Sequence, residues 1–145
     1  MKYAEKEAFI SANSFGFGDA NQAYAQYFSG QSFLQALTNP ETGLGIFNVS
    51  FEPGCRNNWH VHKATQGGGQ ILICTAGEGW YQEEGKPAQE LKEGTVVSIP
   101  ANVKHWHGAK KDSWFSHIAF EVPGENTETE WHEAVSDADY DALEA

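Results

Sequence analysis

Histidines carry the clearest chemical signal in this sequence. Five of the six histidines fall at three sites with strand-like alternation, namely His60 and His62, His105 and His107, and His117. Residues i and i+2 of a β-strand point to the same side, so His60 and His62 present two imidazoles to one face. Neutral imidazoles bind divalent transition metals. The spacing therefore indicates a metal site, although two exposed or hydrogen-bonded histidines on a sheet would have the same pattern.

Two further histidines are candidate catalytic residues. His107 follows His105 on the same predicted face, either as another metal neighbour, as an unligated base, or as a histidine that donates to a neighbouring strand. His117 lies in phase with Phe115 and Ala119 on the last predicted strand. An imidazole beside a cation has a lowered pKa and can accept a proton at neutral pH. A structural core histidine is the alternative interpretation of His117.

The elements that must position these histidines are short strands. Segments with a period of two cover residues 31–37, 45–52, 57–62, 70–75, 79–83, 88–91, 95–99, 104–108 and 114–122. Turn-forming residues separate them, as in Gly77-Glu78-Gly79. This pattern predicts an all-β fold, an antiparallel sandwich or barrel of the jelly-roll kind. Only residues 137–143 look helical, with Ser136 or Asp137 as the N-cap.

The chain has the size and composition of one domain, with 145 residues of which 40% are hydrophobic. We divide it into an N-terminal extension (1–30), a barrel (31–123) and an acidic C-terminal tail (124–145). Residues 14–19 are predicted as loop and 21–28 as at most a short helix or turn.

Apolar side chains alternate with polar ones on the strand that spans residues 45–52. Phe47, Val49 and Phe51 should therefore line the barrel interior. Together with Leu72 and Trp80, they are predicted to wall a small apolar substrate pocket, and core packing is their alternative role.

A net charge of −11 argues against binding to nucleic acid or to anionic membranes. From Glu121 to Glu144 the chain has acidic residues but no Lys or Arg, which is typical of a solvated surface. No apolar leader or membrane span is apparent, so we expect a cytoplasmic protein. Cys55 and Cys74 are too far apart for a metal-binding pair, and both are expected to be reduced.

The segment from Gly54 to His62 resembles the first motif of the cupin superfamily, which reads Gly, five residues, His-x-His, a spacer, Glu, six residues, Gly. The Glu is absent here, and Gln70 stands in its place with six residues between it and Gly77. Gln66 is the competing candidate, because it follows His62 after a short spacer. Strand phase favours Gln70, whereas Gln66 opens onto three glycines.

The second cupin motif, Gly, five residues, Pro, x, Gly, two residues, His, matches the segment from Gly94 to His105. Asn102 replaces the second glycine. Because Asn tolerates a left-handed backbone better than other non-glycine residues, the replacement is mild.

Segments 43–54, 71–77, 105–109 and 116–119 are similar to single-domain bacterial cupins related to carboxymuconolactone decarboxylase-type proteins. A subset of that group comprises manganese-dependent hydroxynitrile lyases. The resemblance implies a single jelly-roll barrel. It also implies metal ligands at His60, His62, Gln70 and His105, and cavity histidines at His107 and His117. Four extra residues between His62 and Gln70 depart from the subset.

With Gln in place of Glu all four ligands are neutral, so one bound divalent ion would keep its full charge and act as a Lewis acid. The resemblance favours Mn or Fe, and the ligand set also suits Ni, Co or Zn. We expect a small-molecule enzyme of lyase, isomerase or oxygenase type, either hydroxynitrile lyase-like or a dioxygenase. The alternatives are a non-catalytic metabolite-binding or accessory cupin, and a purely structural metal. A homodimer is expected by analogy with small cupins.

Overall fold

The computed structural model describes residues 1–39, 41 and 43–143. The helices are α1 (Lys6–Ala12) and α2 (Asp137–Asp141), and a 3₁₀ helix spans Ala25–Tyr27. The strands, in chain order, are β1 (Asp19–Ala20), β2 (Phe28–Ser29), β3 (Ser32–Ala36), β4 (Phe47–Phe51), β5 (Arg56–Asn57), β6 (His60–Lys63), β7 (Gln66–Gly67), β8 (Gln70–Glu83), β9 (Gln89–Lys92), β10 (Val96–Ile99), β11 (His105–Ala109), β12 (Phe115–Glu121), β13 (Gly124–Glu125) and β14 (Glu128–Trp131).

Strand β8 organises the curled sheet, because strands from both halves of the fold pair with it. Its first part pairs with β10 and β12, and its second part pairs with β9 and β11. Strand β11 in turn contacts β6, and β14 adds to the far side of β6. All of these ladders are antiparallel, which confirms the predicted all-β jelly-roll architecture.

The segment Gly77-Glu78-Gly79, predicted as a turn, lies inside β8, so that prediction is wrong. Gly77 has a positive φ of 75°, and a Cβ at this position would lie 1.8 Å from the carbonyl oxygen of Trp114. The two glycines therefore bend one long strand and allow β12 to approach closely. The bend lets β8 leave one half of the barrel and continue in the other.

The main hydrophobic core fills the barrel and includes Phe51, Leu72, Ile99 and Phe115, all at most 1% exposed. Cys55 and Cys74 are also in this cluster, and both are unpaired thiols, as expected.

Two smaller clusters attach the helices to the outside of the barrel. The predicted helix near residue 137 is confirmed as α2, and the N–H of Asp139 donates to Oγ of its N-cap, Ser136, at 3.1 Å. Tyr140 of α2 packs with Trp80 and Trp106. The expected place of Trp80 in the cavity wall is therefore wrong, because alternation along β8 turns its side chain outward.

Helix α1 was not predicted, since it is short and its N-cap makes no side-chain hydrogen bond. Phe9 stabilises it by packing against Trp114 and Ala76 under full burial. The N-terminal segment thereby covers the polar face of β4, where Asn48 is fully buried and donates to Asn13 Oδ1 at 3.1 Å.

The region expected to form an acidic tail contains β13 and β14, and β14 pairs with the histidine strand β6. Among the described residues, neither helix has the length and hydrophobicity needed to cross a lipid bilayer.

Candidate metal centre

Three histidines converge inside the barrel. His60 and His62 come from β6, and His105 lies opposite His60 in the ladder between β6 and β11. One ring nitrogen from each residue lies within 4.8 Å of the others, and all three side chains are buried. Strand alternation explains the convergence, because i and i+2 share a face and antiparallel pairing brings the third imidazole beside them.

Backbone carbonyls fix the tautomers of two of these rings. His60 Nδ1–H donates to the carbonyl oxygen of Asn58 at 2.8 Å, and His105 Nδ1–H donates to that of Val103 at 2.9 Å. The Nε2 atom of each ring therefore carries the lone pair, which is the usual arrangement behind a metal-binding histidine. Among the described residues, His105 Nε2 is buried and has no hydrogen-bond partner. A metal ion would satisfy this nitrogen.

Gln70 lies next to His62, with 3.1 Å between Gln70 Oε1 and His62 Nε2. Gln66, the competing candidate, lies on the exposed strand β7 and pairs with Glu125. Nδ1 of His62 faces Thr129 Oγ1 at 3.4 Å. Three imidazole nitrogens and one amide oxygen thus face one another, a donor set that suits Mn, Fe, Co, Ni or Zn.

The three imidazoles are held neutral. Burial lowers the pKa of His105 to about 4. Burial, together with repulsion from His105 and His62, lowers the pKa of His60 well below its usual value. Burial also lowers the pKa of His62, against the opposing effect of Glu121. Since only neutral imidazoles bind metals, the site is ready for an ion at pH 7 without the loss of protons.

Asn102 braces the loop that follows the His60–Lys63 strand. Its φ of 68° confirms the left-handed conformation expected from its place in the second motif. The side chain accepts from the N–H of Ala64 at 3.1 Å and donates to the Ala64 carbonyl at 3.0 Å, while its own N–H donates to the carbonyl of His62 at 2.8 Å. Glycine could supply the backbone shape but not the two side-chain bonds.

His107 and His117 form a second histidine pair beside the first cluster. His117 Nε2 lies 3.1 Å from His107 Nδ1, and Phe51 packs against both rings. Burial lowers the pKa of His117 to about 3, and burial with repulsion from His117 lowers that of His107 well below its usual value. Both rings are therefore neutral at pH 7 and possess lone pairs that can accept protons.

A cavity of about 730 Å³ opens onto the histidines. Phe47, Val49 and Phe51 line it as predicted from strand phase, and so do His60, His62, Gln70, His107 and His117. His105 is fully buried behind this surface. Leu72, which was predicted to line the pocket, lies instead in the packed core, because that level of the barrel interior is filled by side chains.

The cavity entrance contains residues that sequence patterns did not reveal. Tyr27 stacks on Trp131 with ring centroids 4.3 Å apart and an interplanar angle of 2°, and Trp131 lies 4.7 Å from the ring of His60. Trp131 lines the cavity, as do Tyr24 and Asn21. The alternation in Glu128-Thr129-Glu130-Trp131 was the available signal for β14.

Comparison with known proteins agrees with this architecture. The cupin domain model matches residues 47–116. The (R)-mandelonitrile lyase of Granulicella tundricola is 41% identical over 119 residues, which cover 80% of this chain and 87% of that protein.

Among solved structures, a cupin-like protein from Thermotoga maritima is 40% identical, with a TM-score of 0.76 and coverage of 88% of this chain and 94% of that one. A cupin 2 conserved barrel domain protein from Rhodopseudomonas palustris shares the fold at 15% identity, with a TM-score of 0.62 and coverage of 83% and 78%. On its histidine geometry, its fold and these similarities, the chain belongs to the cupin superfamily.

Proposed function

We propose that this cupin is a metal-dependent lyase that cleaves an aromatic hydroxynitrile into an aldehyde and hydrogen cyanide. The observation that carries the proposal is the neutral pair His107 and His117, which lies in an apolar cavity beside three converging histidines. The 41% identical relative named (R)-mandelonitrile lyase supports the substrate class.

His60, His62, His105 and Gln70 would hold one divalent ion, with Mn or Fe favoured. When bound, the ion supplies Lewis-acid stabilisation of negative charge on a substrate oxygen. Because the amide of Gln70 replaces a carboxylate, the four ligands leave the positive charge of the ion undiminished.

The histidine pair would accept the hydroxyl proton of the substrate and later donate it to cyanide. A ring nitrogen of the pair accepts the hydroxyl proton of the hydroxynitrile, and the O–H electron pair becomes the second bond of the carbonyl group. The C–CN bond breaks, and its electron pair leaves with cyanide. Return of the proton from the imidazole to cyanide gives hydrogen cyanide and restores the neutral pair. Burial keeps His107 and His117 neutral at pH 7, so each ring presents a lone pair that can accept the hydroxyl proton.

The cavity walls fit an aromatic substrate. The volume of the cavity lies in the range of small-molecule sites, and Phe47, Val49 and Phe51 give the cavity an apolar surface. The stacked rings of Tyr27 and Trp131 add flat faces at the entrance, where an aryl group can pack.

The test uses protein purified without a chelating tag and then loaded with Mn or Fe. Release of benzaldehyde from (R)- and (S)-mandelonitrile is followed by absorbance. We expect turnover by the native chain and a loss of roughly 100-fold or more in His107→Ala and His117→Ala. His132→Ala is the matched control, because His132 lies outside the cavity and pairs with Glu130.

Two results would reject the proposal. One is metal content below about one equivalent per chain that does not recover on addition of Mn, Fe, Ni or Zn. The other is metal-loaded protein that binds mandelonitrile without cleaving it, which would favour a non-catalytic metabolite-binding cupin.

A further inference from the structure

A segment of seven residues, 63–69, connects two of the proposed metal ligands, His62 and Gln70. Gln70 carries a neutral amide, which attracts a cation less strongly than a carboxylate would. A ligand of this kind contributes most to affinity when it is already in place, because the cost of ordering it otherwise offsets the gain. The structure of the connecting segment therefore bears on the strength of metal binding.

Asn102 holds the start of this segment. Its Oδ1 accepts from the N–H of Ala64 at 3.1 Å, and its Nδ2 donates to the carbonyl of Ala64 at 3.0 Å. The orientation of the amide is defined, because the backbone N–H can only donate and the carbonyl can only accept. The N–H of Asn102 also donates to the carbonyl of His62 at 2.8 Å. Asn102 thus joins the end of the ligand strand β6 to the segment that follows it.

The middle of the segment is held by the chain that follows β12. The N–H of Thr65 donates to the carbonyl of Glu125 at 2.9 Å, and the N–H of Gly68 donates to the carbonyl of Pro123 at 3.1 Å. Between these two contacts, β7 pairs with β13. Backbone hydrogen bonds therefore restrain the segment along its length, although much of its surface is exposed.

The end of the segment turns tightly before it enters β8. Residues 67–69 are three glycines with positive φ angles of 63°, 80° and 100°. The carbonyl of Gly69 accepts from the N–H of Val122 at 2.9 Å. A Cβ at Gly69 would lie 2.3 Å from the carbonyl oxygen of Ile99, the residue that pairs with Gln70 across the ladder between β10 and β8. A larger residue at 69 would therefore displace the backbone beside Gln70.

We propose that residues 63–69 form a rigid strap, held by Asn102 and β13, that positions Gln70 against His62 before a metal ion binds. Asn102 and Gly69 are then positioning residues, because they act on the ion through the two ligands at the ends of the strap. The inference rests on the metal centre of the proposed function and not on its reaction. The strap can therefore be tested without a hydroxynitrile.

Hydrogen exchange of the metal-free native protein, measured by NMR at neutral pH, tests whether the strap is rigid. The amides of Ala64, Thr65 and Gly68 all donate hydrogen bonds in the structure. We expect them to exchange at least roughly 100-fold more slowly than the same amides in an unfolded chain. Exchange at the rates of an unfolded chain would overturn the inference, because the ion would then have to order the segment.

Zinc affinity, measured by competition with a chelating dye, tests whether the strap positions a ligand. Asn102→Gly keeps a residue that adopts the left-handed backbone but loses both side-chain bonds to Ala64. We expect zinc binding to weaken by roughly tenfold, which is typical for the loss of a group that orients a metal ligand. Urea unfolding of the same variant shows that the protein is folded under the conditions of the titration.

Gly69→Ala is the second variant and should also weaken zinc binding by roughly tenfold, because its Cβ meets the carbonyl of Ile99. Gly85→Ala is the matched control. Gly85 has a similar φ of 82°, but a Cβ there would meet none of the described atoms within 4 Å. The control therefore has the same backbone strain without a displaced ligand, and it should bind zinc like the native chain.

Zinc affinities of folded Asn102→Gly and Gly69→Ala that equal the affinity of Gly85→Ala would overturn the inference. If both affinities fall as expected but metal-loaded native protein leaves mandelonitrile uncleaved, the proposed reaction fails while the strap stands. If mandelonitrile is cleaved and both variants bind zinc like the control, the strap fails while the proposed reaction stands.

Discussion

The Oε1 atom of Gln70 lies 3.1 Å from the Nε2 atom of His62, although the two residues are eight positions apart in the chain. Two ligands that are each about 2.1 Å from one ion lie roughly 3 Å from each other. Their separation is therefore the one expected for neighbouring ligands.

Gln70→Ala should weaken metal binding by roughly 10- to 100-fold, because one of the four proposed ligands is removed. Gln66→Ala is the matched control and should bind metal like the native chain, since Gln66 is exposed on β7. Competition with a chelating dye measures both affinities. Equal losses in the two variants would contradict the assignment of Gln70.

Gln70→Glu should bind metal more tightly and catalyse more slowly. A carboxylate attracts the cation but also neutralises part of its charge, so the ion polarises a substrate oxygen less strongly. The expected result is a lower metal Kd together with a lower kcat for mandelonitrile. A rise in both metal affinity and kcat would show that ligand neutrality does not assist the reaction.

Trp131→Ala should raise KM for an aromatic hydroxynitrile by about tenfold, because the flat face between Tyr27 and His60 is lost. Trp131→Phe keeps a ring in place and should recover most of the affinity. An aliphatic hydroxynitrile provides the internal comparison, and its KM should change much less. A similar rise for both substrates would mean that Trp131 acts on the fold or on the metal site instead.

His117 should make the metal-free protein sensitive to mild acid. Its pKa is lowered to about 3 in the folded state by burial, whereas an exposed histidine has a pKa near 6.5. Below pH 6.5 the unfolded chain binds a proton at this residue that the folded chain does not bind. The free energy of unfolding therefore falls as the pH decreases from 6.5 towards 3. The slope for this residue approaches about 1.4 kcal/mol per pH unit.

Urea unfolding of metal-free native protein and of His117→Gln at pH 7.5, 6.5 and 5.5 measures this contribution. The difference in unfolding free energy between the two chains should shrink steadily as the pH falls. If the two curves stay parallel, the pKa of His117 in the folded protein is close to that in the unfolded chain, and the prediction is wrong.

Lys110, which follows β11, should stabilise the barrel by linking β8 to β9 through two ion pairs. Its side chain is 2% exposed, and Nζ donates to Glu78 at 3.0 Å and to Glu90 at 2.5 Å. Lys110→Met keeps the stem but leaves the carboxylates without their shared cation, at a cost of roughly 2 kcal/mol in unfolding free energy. Lys92→Met is the control, because Lys92 also pairs with Glu90 but is exposed, and its effect should be much smaller. Equal losses would show that burial adds nothing to the Lys110 contacts.

Local sequence patterns were sufficient for much of the barrel and for the histidine cluster. The i and i+2 spacing placed His60 beside His62, and the two cupin motifs gave His105 and the left-handed Asn102. Strand phase also favoured Gln70 over Gln66 as the candidate amide ligand. Each of these inferences depends on strand alternation, on motif spacing or on the backbone preference of one residue type, all of which can be recognised from a short stretch of sequence.

Features that depend on contacts between distant segments could not be predicted in this way. Trp131 faces His60 only because β14 pairs with β6, and Tyr27 reaches it from the other end of the chain. The glycines at 77 and 79 looked like a turn because bends and turns use the same residue types. Asn57 had no local signal at all, since its Oδ1 accepts a hydrogen bond from the backbone N–H of His107, 50 residues later in the chain.

The proposed ligands lie on β6, β8 and β11, whereas residues 21–28 and β14 supply other parts of the cavity lining. Under the proposed function, reactivity and substrate choice are therefore encoded in separate stretches of the gene. Exchange of the terminal segments between related chains would alter which molecules enter while the ion-binding barrel stays intact. A lineage with this architecture can diversify its substrates by changing its two ends, and need not rebuild the chemistry each time.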